Sequence, residues 1–412
     1  MNLPTAYRRL GWATGIDNLG TGAFTAAVPL LTVTVTSDPR LVSLVSAAAY
    51  LPWLLLSLPA GSLADRHDRA GLMWRAQAAQ AVLVAVTAVL VACGAVGVPV
   101  LVVTAFGLGA GDVVFGTAAQ AIVPDLVAKP LLARVNGRRQ AITTITQQFA
   151  GPPLGSLLFG VAAALPFGLD AVSFAVSAVL VARLRRRPRG APAHSAVREG
   201  LSWLLRHRLV RTLAVLLGVN TFCGQLVNAT LVLLATQVVH LGARGYGVLL
   251  AGAALGSVAG GLVNARIVAR IGSPPALVTA LAVNAGAFAG IGLSPDAVLL
   301  GVFLAVNGFA TTLWNVVTVG VRQQQVPSAL LGRVTGVYRL LGWGLIPLGT
   351  LTGGLVAHGL GLRAPSLVAA AVRGLALVVA VPVLVRALRD QSSVDGRASS
   401  CRRIWRASSS RP

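Results

Sequence analysis

The sequence predicts an all-α integral membrane protein of about twelve transmembrane helices arranged as two six-helix halves. Three observations carry this. Of 412 residues, 55% are hydrophobic and only 11% charged, against roughly 25% charged in an ordinary soluble chain, and no soluble interior of this size hides so much apolar surface. Apolar runs of about 20 residues, the length of a spanning helix, recur along almost the whole chain. Short stretches of the first half also reappear in the second at nearly one spacing.

The runs, bounded by charge, Pro or Gly, fall at 10–32, 42–63, 73–95, 98–121, 142–163, 166–183, 209–235, 246–268, 275–294, 297–319, 334–358 and 364–386. Each reads as a span. The start, MNLPTAYRRLGWATG, places a basic region before an apolar one, as a signal peptide does. With so many spans following, it reads as a retained first helix.

Charge sets the topology. Lys129 is the single lysine, so the net charge of +23 is nearly all arginine, and its placement argues for membrane topology over nucleic-acid binding. Alternate links hold Arg8 and Arg9; Arg66, Arg69 and Arg75; Lys129, Arg134, Arg138 and Arg139; the 183–211 stretch; Arg266 and Arg270; then Arg322, Arg333 and Arg339. Seven more arginines follow Val385, whereas the intervening links hold Arg40, Arg244 and Arg363. Short basic loops stay in the cytoplasm, so both termini are expected there, as an even number of spans requires.

The expected units are residues 1–184, an N-terminal six-helix half; 185–208, a basic cytoplasmic linker; 209–389, a C-terminal six-helix half; and 390–412, a disordered cytoplasmic tail rich in Ser and Arg. In the linker, Val197, Leu201, Leu204 and Leu205 recur at helical spacing with Arg on other faces. That pattern suits an amphipathic helix lying on an anionic cytoplasmic leaflet. The repeats fit the halves. Gly61-Ser-Leu-Ala-Asp-Arg66 aligns with Gly261-Leu-Val-Asn-Ala-Arg266, and Leu132-Ala-Arg-Val-Asn-Gly137 with Leu331-Gly-Arg-Val-Thr-Gly336. Six-span halves related by an axis along the membrane normal are a transporter architecture.

The link GSLADRHDRAGL (61–72) concentrates charge between two spans. Gly61 allows close approach of another helix. Asp65 stands at the C-terminal end of its helix, where the macrodipole disfavours an anion, and so requires a partner: Arg69 one turn later or the start of a neighbouring helix. The stretch resembles the signature link between the second and third helices of the major facilitator superfamily, G-x-L-x-D-R-x-G-R-[RK]. Gly61, Leu63, Asp65, Arg66 and Arg69 match, while Asp68 replaces a Gly and Ala70 a basic residue. The resemblance covers almost the whole chain, and YLPWLLLSLPAGSLADR, LLARVNGRRQ and REGLSWLL are most similar to the branch of enterobactin exporters and macrolide efflux pumps. It implies that Gly61, Asp65, Arg66 and Arg69 form a gating motif holding the two halves together on the cytoplasmic side.

A second motif, QQFAGPPLGSLL (147–158), carries Gly151 and Gly155 four apart, a close-packing face, with Pro152 and Pro153 kinking the helix. It resembles the G-P-x-x-G-G motif of drug/proton antiporters, with Ser156 in place of the last Gly, and PLGTLTGG (347–354) is its counterpart in the second half. Ionisable groups inside spans are costly and usually functional. Here they are Asp17, Asp112, Asp170 and Arg373. The resemblance implies that the first, fourth, seventh and tenth helices line a central cavity, to which Asp17, Asn18, Asp112, Asn220, Gln225, Asn228, Asn307, Trp314 and Asn315 would belong. Asp112, deepest in its span, is the first candidate for proton coupling and Asp17 the second, since the charge on a desolvated carboxyl depends on what faces it. The cavity-side arginine usual in the family's fourth helix is missing.

The implied function is secondary active transport, proton-coupled efflux of a small, largely apolar molecule (a drug, antibiotic or siderophore-like compound) by alternating access, in a monomer of the bacterial plasma membrane. Its partners would be that substrate, protons and an anionic leaflet. A facilitator or uptake carrier of the same fold is the alternative. The G-x-G-D sequence at 109–112 raises a remote one, an intramembrane aspartyl protease, but that chemistry needs a second aspartate, expected as Tyr-Asp in the preceding span, and the third span has none. Gly107–Gly111 lies in a span and lacks the strand context of a dinucleotide loop. A phosphate-binding loop needs Gly-Lys-[Ser/Thr], and Lys129 is followed by Pro130. Cys93, Cys223 and Cys401 give neither a disulfide framework nor metal spacing; no cofactor or metal is expected.

The arginine pattern has a direct test. Cysteines introduced at Ser195 and Ser399 should both be shielded from membrane-impermeant thiol reagents in intact cells, and labelling at either site reverses the assigned sidedness.

Overall fold

The structure, a computed structural model, describes residues 5–127, 131–184 and 197–384. Every regular element among them is helical. Eleven helices are long and apolar enough to cross a membrane. Of these, α1 (Thr5–Val35), α2 (Pro39–Arg66), α3 (Arg69–Ala92) and α4 (Val98–Leu126) are the first four. The expected fifth span is not among the eleven; it runs as α5 (Leu132–Thr143), a π-helical stretch (Thr144–Ala150) and α6 (Gly151–Phe159). Pro152 and Pro153 donate no backbone hydrogen bond and crowd the preceding turn, so the backbone widens before them.

α7 (Leu165–Ala182) is followed by the short α8 (Val197–Arg206). Then come α9 (Arg208–Leu233), α10 (Ala243–Ile271), α11 (Ser273–Leu293) and α12 (Ala297–Gln325). The eleventh span is interrupted between α13 (Ser328–Gly344) and α14 (Ile346–Leu360), again beside a proline, Pro347. α15 covers Ala364–Leu384. The first part of the linker and the tail from 390, expected to be irregular, lie outside the described residues.

Acids start several of these helices. Asp38 accepts from the Arg40 amide at 2.9 Å, Asp68 from the Gly71 amide at 2.8 Å, and Asp296 from the Val298 and Leu299 amides at 2.9 Å each. These are N-caps, which satisfy amides that the first helical turn leaves unpaired. The Asp68 cap explains what the acid does where the resembling motif carries glycine: it starts α3.

Within each set of helices, glycine brings backbones together, as expected where lipid gives no hydrophobic drive and association rests on close packing. A Cβ at Gly155 of α6 would strike the Ala23 carbonyl of α1, and one at Gly151 would stand 2.5 Å from the Gly22 Cα. The second half repeats the join: a Cβ at Gly349 of α14 would stand 2.5 Å from the Phe222 oxygen of α9, and one at Gly353 would strike that of Leu226. A tyrosine also ties each pair of spans, Tyr7 Oη donating to the Val135 carbonyl at 3.1 Å and Tyr338 Oη to that of Val210 at 2.6 Å.

Between the two sets, α2 meets α14 and α6 meets α10. A Cβ at Gly354 would strike Ser43, one at Gly247 would stand 2.7 Å from the Ser156 Cβ, and the Trp53 and Trp343 rings lie 4.6 Å apart. Of four buried apolar clusters, one joins both sets; it takes Leu30 and Val42 with Leu231, Leu234, Tyr246 and Leu300, all near the arginine-poor links. Asp38 lies 3.7 Å from His358 at that end, and the Arg40 hydrogen bonds hold its carboxyl below the usual carboxylate range. At the arginine-rich ends each set has its own cluster, one around Tyr7, Met73 and Val135, the other around Val210, Trp314 and Tyr338. α8 belongs to the latter: Leu204 is buried in it, while Leu201 and Leu205 stay exposed.

The glycine joins give a stability prediction. Gly155→Leu pushes a side chain against backbone that has nowhere to move, and overpacking costs about 1–3 kcal/mol or more. Gly168→Leu, at a position open on all sides, is the control. Thermal unfolding of the purified protein should show a lowered midpoint for the first variant only; equal midpoints would rule out the join as a structural contact.

Candidate functional site

Lipid supplies no hydrogen bonds, so polar side chains within spans turn towards one another. On α3, Gln77 and Gln80 lie three residues apart on one face and are fully buried. Gln77 Nε2 donates to Asp17 Oδ1 of α1 at 3.1 Å, and Gln80 Nε2 to Asp112 Oδ1 of α4 at 2.9 Å and to the Leu108 carbonyl at 3.0 Å. Asp170 of α7 is wholly buried and faces α1 at Gly20, where a Cβ would stand 2.6 Å from its Oδ1. The Ser173 hydroxyl donates to the Asp170 carbonyl at 2.8 Å and lies 3.4 Å from Oδ1. The three carboxyls are within electrostatic reach of one another.

Asp17 and Asp112 are thus drawn into one cluster, which Asp170 joins. Asp17 is buried against α3; Asp112 is half-buried. The glutamines that hold them were not anticipated. Their signal in the sequence is the pair of amides three apart in the otherwise apolar run AQAAQAV. The glycines preceding Asp112 serve packing: a Cβ at Gly109 would strike the Ala49 carbonyl of α2, and one at Gly111 would strike Gln80. This accounts for the G-x-G-D sequence without proteolytic chemistry.

The second half builds a related place with other residues. Arg373 of α15 is 6% exposed, donates from Nη2 to the Asn220 carbonyl of α9 at 2.7 Å and lies 4.2 Å over the Phe288 ring. Its Nε and Nη1 have no partner. At one common sequence offset, Asp17 corresponds to Asn220, Gly20 to Cys223 and Asp170 to Arg373. The contacts correspond too, Gly20 lying against Asp170 and Cys223 against Arg373.

The other expected residues divide. Asn18 Nδ2 donates to Thr143 Oγ1 at 2.9 Å. Asn220, Gln225 and Asn307 are half-buried, and Asn228 and Asn315 exposed. Trp314 departs from expectation: at 3% exposure it belongs to the apolar cluster that α12 shares with residues of α9, α11 and α13. At the charged link, the side chains of Asp65 and Arg66 lie outside the described residues. α2 ends at Arg66 and α3 begins at Arg69, so Asp65 belongs to the C-terminal end of one helix and Arg69 to the start of the next. Arg69 Nη1 donates to the Ala121 carbonyl of α4 at 2.9 Å, and a Cβ at Gly61 would meet nothing within 4 Å among the described residues.

The chain matches the family described as transmembrane secretion effector over residues 4–406. It is 28% identical over 361 residues to the multidrug efflux pump Tap of Mycolicibacterium fortuitum, covering 84% of this chain and 87% of that protein. Among solved structures it is similar to a bacterial homologue of the iron transporter ferroportin in an inward-facing state (TM-score 0.71, 16% identity, 92% of this chain and 98% of that one). It is also similar to a bacterial homologue of the human lysosomal transporter Spinster, inward-facing and unoccupied (TM-score 0.69, 15% identity, 93% and 97%), and to the nucleoside transporter NupG (TM-score 0.69, 12% identity, 92% and 99%).

The open space around Gly61 separates a gate from a mere loop end. Gly61→Leu should leave the unfolding midpoint of this arrangement unchanged, or slightly raised because leucine is the better helix former, and should abolish transport if another helix must close on this position. Normal transport by that variant would remove Gly61 from the gate.

Proposed function

The chain belongs to the transmembrane secretion effector family of the major facilitator superfamily, and from that premise we propose that it exports a small, largely apolar molecule in exchange for protons, by alternating access. It is a multi-pass membrane transporter, not an enzyme. The observation that carries the coupling is the pair Asp17 and Asp112, on the first and fourth spans, each held by a buried glutamine of α3. A carboxyl so placed changes charge at a cost set by its surroundings, so its proton is linked to which side of the membrane it faces. The likeness to a multidrug efflux pump favours export.

The packing supports an arrangement open to the cytoplasm. The arginine-poor ends share an apolar cluster and the Asp38–His358 contact, whereas the arginine-rich ends keep separate clusters. With the positive-inside assignment, the closed ends lie outside. Substrate would approach from the cytoplasm between α1, α4, α9 and α12; the gating motif around Gly61, Asp65, Arg66 and Arg69 would close when the halves rock. Each half moves as a unit because its first and fifth spans are locked by glycine joins. The exposed Leu201 and Leu205 of α8, with Arg206 and Arg208 beside them, would rest on the anionic inner leaflet.

Asp112→Asn tests the coupling by fixing that position in a neutral form of the same shape. Uphill export, followed as drug accumulation in cells with and without a protonophore, should be abolished, while passive exchange of substrate between the two sides persists. Uphill export that continues in this variant and still collapses with a protonophore would move the role elsewhere. Wild-type transport indifferent to the protonophore would point to a facilitator.

A further inference from the structure

We propose that Asp170, on a helix outside the expected cavity lining, is the residue in which the carboxyl cluster keeps a bound proton while Asp17 and Asp112 exchange theirs. This rests on the proton-coupled reading and adds a third acid to it. Among the carboxyl and amide side chains of the cluster, the enclosed atoms left without partners are Gln77 Oε1, Gln80 Oε1 and Asp170 Oδ2. All are acceptors, on side chains at most 1% exposed, and the two amides are aimed at Asp17 and Asp112. A cluster whose orphans are all acceptors lacks hydrogens, and a carboxylic acid O–H supplies one.

The geometry assigns it to Asp170. Asp17 and Asp112 each accept an amide hydrogen bond at 3.1 Å or shorter, which supports an anion, whereas Asp170 has only the Ser173 hydroxyl at 3.4 Å and an Oδ2 facing no donor. An isolated buried carboxylate is strongly disfavoured. The groups facing Asp170 are Asp17 from α1 and Asp112 from α4; α3 contributes the neutral amides of Gln77 and Gln80, and no cationic side chain enters these surroundings among the described residues. A metal ion is a poor alternative occupant: among the described residues no three His, Cys, Asp or Glu side chains gather closely enough to hold one.

The equivalent place in the second half sharpens the contrast. There Arg373 leaves Nε and Nη1, both donors, without partners, so that place carries unshared hydrogens where the carboxyl cluster lacks them. When the half-buried Asp112 ionises, its O–H bond breaks and the proton leaves to water. The negative charge left behind raises the cost of ionising Asp170, and its O–H bond stays intact through the exchange.

The test is infrared difference spectroscopy of the purified full-length protein, titrated with acid and base and read at the carboxylic-acid carbonyl band. Wild type should retain a protonated-carboxyl band at pH values where the component absent from Asp112→Asn has already titrated away. Asp170→Asn should lose the retained band, and Asp170→Glu should restore it at a shifted frequency. Asp170→Glu alone decides the matter if Asp170→Asn fails to fold. A retained band unchanged in these variants, no retained band in folded wild type, or its release by added sodium would overturn the proposal. The band is read without substrate or gradient, so the two readings fail separately: uphill export by Asp112→Asn would sink the coupling role of Asp112 and leave the Asp170 band standing.

Discussion

A bilayer offers no hydrogen-bond partners, so each polar atom placed inside it must find one within the protein, and this chain has very few acids with which to do so. Six aspartates have described side chains. Asp38, Asp68 and Asp296 sit at links and cap helices; Asp17, Asp112 and Asp170 converge between α1, α3, α4 and α7. Nothing intermediate is seen among them. An acid here either satisfies a helix end near water or belongs to one buried cluster, and the cluster is where a transporter that uses an ion gradient would need it.

Around that constraint the fold is built twice. The same glycine joins, tyrosine ties and proline interruptions recur in the two halves, because helix association in lipid depends on shape and close backbone approach. Polar content is free to diverge on such a scaffold. Asp17 and Asp170 on one side correspond to Asn220 and Arg373 on the other, so two equivalent frames carry acids in one half and a base in the other. Duplication preserved how the helices meet and left their chemistry to separate.

The broken spans lie where the two halves meet. α6 packs on α1 through Gly151 and Gly155 while its neighbour across the interface is α10; α14 packs on α9 through Gly349 and Gly353 while meeting α2. Joins within a half put backbone against backbone. Between halves the contacts include side chains, such as the Trp53–Trp343 pair and Asp38–His358. That difference favours rocking of two rigid bodies over internal rearrangement of either.

Much of this was legible in the sequence. Span limits, the twofold repeat, the glycine face of the fifth span and the helical linker are local properties: hydropathy over a window, spacing on a helix, arginine on alternate links. They follow from the chain's meeting lipid and water, which needs no knowledge of neighbours. Other features were decided by the tertiary structure. Gln77 and Gln80 drew no attention in the sequence; α3 places them against two aspartates on different helices. Asp170 was a lone acid in the sixth span, and Trp314 a candidate lining residue until the packing of α12 buried it. That Arg69 starts a new helix, which Asp68 caps, and donates to the Ala121 carbonyl of α4 was likewise set by the packing. A sequence records which face a residue shares with its own helix; which faces meet depends on the rotation and crossing of helices distant along the chain, and that is set only when their surfaces pack.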